Sequence, residues 1–100
     1  MRLAEWGAGV AMTSQSTLVT LCRRALDTYG ADAQIDQCIE ECAELTVELQ
    51  HRKRGRPDHA AEEIADVMIC VQQMRLLVGP EEVDRIVGEK LARLAGRMGV

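Results

Sequence analysis

The chain has 100 residues, 47% of them hydrophobic and 28% charged, which fits one globular domain and leaves no room for a second. Twelve basic against 16 acidic residues give a formal net charge of −4, which argues against a general nucleic-acid binder, since such a protein is normally basic over its contact face. Only Trp6 and Tyr29 are aromatic, so the interior must be filled by aliphatic side chains, Ala, Cys and Met, and the expected class is all-α.

Residues 1–12 (MRLAEWGAGVAM) carry two glycines and no clear period. They read as a flexible arm before a single helical domain over 13–100, with Met12 an alternative start. No apolar run approaches the roughly 18–20 residues of a membrane span, and the amino terminus lacks the contiguous apolar region of a signal peptide. The expectation is a soluble cytoplasmic protein with no membrane partner. Thr13 or Ser14 caps a first helix through Leu18, Leu21, Cys22, Ala25 and Leu26, and Gly30 ends it as a left-handed cap.

The second helix starts at Ala31 to Ala33 and continues to about Arg54. At 1.5 Å per residue that is roughly 35 Å, long enough to require a long partner. The turn HRKRGRPD follows, with Gly55 as its stop signal and Pro57 at the start of a third helix that runs to Val78. Gly79 and Pro80 punctuate the chain again before a fourth helix bearing Val83, Ile86, Val87, Leu91 and Leu94. Ile69 and Leu76 lie off the main stripe of the third helix, with Cys70 and Leu77 between, so too much of its circumference is apolar for a helix with one wet side. A second subunit is expected to cover it, at or near Ile69 and Leu76.

Cys22, Cys38, Cys42 and Cys70 form no Cys-x-x-Cys and fall at or beside apolar helical positions, so they read as reduced core residues. The single Glu-x-x-His, Glu48 with His51, has no second copy and does not make a di-iron bundle.

The chemistry lies in two carboxylate pairs. Glu41 and Glu44 are one turn apart on the second helix, and Glu63 and Asp66 are one turn apart on the third. Ile35, Cys38, Ile39, Cys42, Leu45, Thr46 and Leu49 form the stripe of the second helix, and Ile64, Val67, Met68, Val71, Met74 and Val78 that of the third. Both carboxylate pairs are displaced from their stripe in the same rotational sense, by roughly 80–150°. With the stripes facing in an antiparallel hairpin, the four carboxylates fall on one side and converge. Convergent carboxylates repel and raise one another's pKa unless a cation lies among them. All-oxygen donors favour Mg²⁺, or Mn²⁺ as a substitute, and such a site keeps positions for water and substrate phosphate. Among the basic residues of the turn, Lys53, Arg54 and Arg56 are candidates for contact with substrate phosphates, or for complementing the negative helix end.

EECAE (Glu40 to Glu44) followed by EIAD (Glu63 to Asp66) resembles the EExxE…ExxD signature of the all-α nucleoside triphosphate pyrophosphohydrolases, the MazG-like group. AEEIADVMICVQQM and EKLARLAGRM resemble its short, phage-type members, and the match covers about Ile35 to Met98. The resemblance implies a helical bundle on a long antiparallel hairpin, completed by a homodimer or a dimer of dimers. It implies Mg²⁺-dependent cleavage of a nucleoside triphosphate to monophosphate and pyrophosphate, a reaction of nucleotide-pool house-cleaning. Glu41, Glu44, Glu63 and Asp66 would hold the metal, and Glu40, Glu41 and Glu44 form the catalytic group, Glu40 orienting or deprotonating the attacking water. Phosphoribosyl-ATP pyrophosphohydrolase and the dimeric dUTPases share the carboxylate pattern and are the alternative enzymes. The alternative outside catalysis is an oligomeric helical interaction module.

Overall fold

A computed structural model of the chain describes residues 15–100, so the N-terminal arm and the Thr13 or Ser14 cap lie outside the described residues. Four helices follow in order, and no strand occurs among the described residues: α1 Gln15–Tyr29, α2 Ala31–Lys53, α3 Ala60–Val78 and α4 Pro80–Met98. The all-α expectation holds.

Single glycines make two of the three connections. Gly30 has φ 90° and ψ 156°, a positive φ as expected but an extended ψ instead of a left-handed cap. Its N–H donates to the Leu26 carbonyl at 2.9 Å and its carbonyl accepts from the Gln34 N–H at 3.2 Å, so one residue closes α1 and opens α2. Gly79, at φ 139°, does the same between α3 and α4, and Pro80 occupies the first turn of α4, where its missing N–H costs nothing.

The third connection departs from expectation. The helix does not resume at Pro57 but at Ala60, because carboxylates cap it later. Asp58 Oδ1 accepts the Ala60 N–H at 2.9 Å, and Glu48 Oε2, reaching across from α2, accepts the His59 N–H at 2.5 Å. Arg52 Nε lies 3.3 Å from Asp58 Oδ2 and ties the end of α2 to the same loop.

α3 is central and touches each of the other helices, most extensively α2. The buried apolar residues are small: Cys22, Cys38, Ala60 and Cys70. Burial pushes the Cys70 thiol up to about 11, which suits an inert core thiol, while Cys42 is exposed and is not the core residue the sequence suggested. The α2 stripe is also rotated from its expected place. The covered line of α2 is Gln34, Cys38, Glu41, Leu45 and Glu48, whereas Ile35, Ile39, Cys42, Thr46 and Leu49 are exposed. Small side chains let α2 and α3 approach, and the contact then encloses the carboxylates; the larger apolar residues are turned outward. Leu76, expected at a subunit contact, is half-buried and lines a hollow with Leu77 and with Arg23, Leu26, Asp27 and Ala31. Ile69 remains exposed, although its carbonyl faces Cys22 Sγ at 3.8 Å.

α4 half-buries Val83, Ile86, Val87 and Leu91, and one fork joins it to α3. Arg75 donates from Nε and from its terminal nitrogen to the two oxygens of Asp84, at 2.8 and 2.6 Å, and this bond holds the Asp84 carboxyl below its ordinary range. Asp84→Asn should cost about 0.5–1 kcal/mol, since Asp84 is half exposed. Its clearer readout is faster tryptic cleavage within α4 at Lys90 and Arg93, with α2 and α3 unaffected.

Candidate metal centre

The α2–α3 contact brings three of the expected carboxylates together. One oxygen each from Glu41, Glu44 and Glu63 lies within 4.8 Å of the others. Glu41 and Glu63 are half-buried and Glu44 is exposed, so the group has an occluded wall and an open one. Glu41 Oε1 accepts a hydrogen bond from Gln37 Nε2 at 2.8 Å, which fixes that carboxylate from one turn below. Glu41 Oε2 and Glu63 Oε2 are sealed from solvent with no donor.

Electrostatics follow from this crowding. Loss of hydration, then hydrogen bonding to Glu41, then the charge of Glu44 push the Glu63 carboxyl from its ordinary 4.5 up to about 7. Two unmet oxygens in one carboxylate group call for either a proton or a cation, and Glu63 is poised between the two near neutral pH. The donor set is all oxygen and partly open to water, which fits Mg²⁺ or Mn²⁺ better than a thiophilic ion.

Asp66 is exposed and stands outside the group of three, although its charge reaches Cys70. Glu40 is exposed on the next face, without a hydrogen bond or ion pair among the described residues. Lys53, Arg54 and Arg56 are exposed, and none makes an ion pair among the described residues. Lys53 is nine residues beyond Glu44, roughly 13 Å along the helix axis.

Sequence reading missed four residues. Gln37 was available from its spacing, four residues before Glu41. Glu48, which the sequence offers only as half of a Glu-x-x-His, is instead the clamp that fixes α3 against α2; its side chain is 15% exposed and lies 3.8 Å from His51. No local pattern announces a cap supplied from another helix. Gln72 and Gln73 are buried on α3, with Gln73 Oε1 unpartnered, and nothing in their periodicity separates them from surface glutamines.

Glu48→Ala should destabilise the fold by about 1–2 kcal/mol, the usual cost of a lost N-terminal cap, and Glu48→Gln by less because an acceptor remains. Urea melts of the three proteins check the ranking.

Compared with known proteins, the chain matches no family model, and no curated protein or solved structure matches it.

Proposed function

We propose that the chain is a divalent-cation-dependent hydrolase of nucleoside triphosphates, ribo or deoxy, releasing monophosphate and pyrophosphate. The observation that carries this reading is the convergence of Glu41, Glu44 and Glu63, with two oxygens sealed from water and given no donor. A fold gains nothing from such a group by itself, since unmet buried oxygens and like charges both cost free energy. An anionic phosphate cannot approach it without a cation between them.

In this reading Glu41, Glu44 and Glu63 hold Mg²⁺ or Mn²⁺, with Asp66 one turn from Glu63 completing the set. The ion, when bound, supplies charge neutralisation on the phosphates and acidifies a water. The chain's own residues do the rest. Gln37 keeps the Glu41 carboxylate aimed, Glu48 and Asp58 hold α3 at the register that places Glu63 opposite Glu41, and Glu40 orients or deprotonates the attacking water from the adjacent face. Lys53, Arg54 and Arg56 draw a polyphosphate toward the acidic site, and contact with its outer phosphates would come from the loop of another copy.

The assembly in this reading is a homodimer or a dimer of dimers, built on the α2–α3 hairpin. Ile39, Leu49, Ile64 and Val71 are exposed on a single copy, apolar surface that a partner subunit would cover. The protein works as a soluble cytoplasmic enzyme, and none of the described helices is long and apolar enough to cross a membrane.

The test is a panel of ribo- and deoxynucleoside triphosphates incubated with the protein and Mg²⁺ or Mn²⁺, with both phosphate products assayed. Pyrophosphate and the matching monophosphate are expected. Orthophosphate with a diphosphate, or no turnover of any triphosphate, would overturn the assignment.

A further inference from the structure

α2 carries two lines of residues with the same alternating spacing of four and three. Gln34, Cys38, Glu41, Leu45 and Glu48 form the covered line, and Ile35, Ile39, Cys42, Thr46 and Leu49 form the other, about 100° round the helix. That second line is bare along its length: Ile35 is 37% exposed, Ile39 62% and Leu49 45%. Thr46 directs its hydroxyl back to the Cys42 carbonyl at 3.0 Å, which leaves its methyl group to the surface. A four–three spacing is the pattern of a helix that buries a seam against another helix.

The seam is nearly symmetric about Cys42. Ile35 and Leu49 lie seven residues to either side, and Ile39 and Thr46 lie three before and four after. An antiparallel helix of the same sequence therefore sets Ile35 of one copy on Leu49 of the other, Ile39 on Thr46, and Cys42 on Cys42. Charge at the two ends decides the direction. Asp32 lies one turn before the seam and Lys53 one turn after it, and neither makes an ion pair among the described residues. Antiparallel pairing places each Asp32 beside the Lys53 of the other copy, twice; parallel pairing would place like charges together.

We propose that two copies of the chain pair antiparallel through this seam of α2, with their Cys42 side chains facing each other at the two-fold axis. The occupant is a second copy because the seam's own sequence, reversed, supplies both the apolar residues and the opposite charges it lacks. The pairing rests on the two-copy part of the reading above and is independent of the hydrolase part. It assigns Lys53 to the interface, leaving Arg54 and Arg56 as the loop cations free to meet phosphate.

The full chain is treated at micromolar concentration with a short bifunctional maleimide, in parallel with sedimentation equilibrium. A dimer in solution, a cross-linked band at twice the chain mass, and loss of that band in Cys42→Ser are expected. Asp32→Lys should weaken dimerisation about fivefold, and Asp32→Lys with Lys53→Asp should restore it. A monomer at every concentration overturns the two-copy reading and the seam together. A dimer that fails to cross-link, or that cross-links equally in Cys42→Ser, overturns the seam alone. Failure of the nucleotide panel bears on neither.

Discussion

Glu63→Gln should cost about a thousandfold or more in pyrophosphate release while raising the melting temperature of the metal-free protein at pH 8. The two effects come from the same contact. Glu63 Oε2 and Glu41 Oε2 each lack a donor, and the two carboxylates belong to one group, so an amide that donates a hydrogen bond to Glu41 removes both a crowded charge and an unmet oxygen. The same amide takes away a cation ligand. Glu41→Gln should likewise abolish release, with circular dichroism unchanged because the volume is kept. Asp66→Asn, at an exposed position outside the group of three, should also abolish release if Asp66 completes the ligand set. Wild-type turnover by Glu41→Gln or Glu63→Gln would sink the metal assignment, and wild-type turnover by Asp66→Asn alone would remove only Asp66 from it.

The second large effect is on pH dependence, and its sign differs from that of an ordinary carboxylate. The folded chain holds the Glu63 proton up to about 7, whereas the free carboxyl releases it at 4.5, so in that window the folded state binds more protons than the unfolded one. Stability therefore falls as pH rises. The contribution is fully present below 4.5 and has been lost once pH passes about 7. A divalent ion competes with that proton, so the stabilisation given by a fixed Mn²⁺ concentration should grow across the same window. Thermal melts at pH 5, 6, 7 and 8, each with and without Mn²⁺, test both halves. A melting temperature of the metal-free protein that rises from pH 5 to pH 8 in wild type, with the same slope in Glu63→Gln, would contradict the account.

How far the sequence reveals this molecule differs from helix to helix. Gly30, Gly79 and Pro80 act through backbone geometry that their residue types dictate, so the end of α1, the start of α2, the end of α3 and the start of α4 were readable. The start of α3 was not, because Pro57 is a valid first helical residue that loses to capping by Glu48 and Asp58, and the Glu48 cap comes from another helix. The carboxylate pairs were visible by their one-turn spacing, and three of the four do converge, but the angular argument placed the wrong face of α2 against α3. A hydrophobic stripe shows that a face seeks cover; it does not show which neighbour provides it. Small residues such as Cys38, Ala60 and Cys70 allow a close approach that buries Glu41 in the contact and leaves Ile39 and Leu49 outside.

The most direct test of the central claim is a calorimetric titration of the wild-type protein with Mn²⁺ at pH 8, without nucleotide. Saturable binding is expected, lost in Glu41→Gln and Glu63→Gln, accompanied by proton release that grows as the starting pH is lowered toward 7. No binding at millimolar Mn²⁺, or binding that both variants retain, would show that Glu41, Glu44 and Glu63 are a proton-sharing cluster and not a metal site.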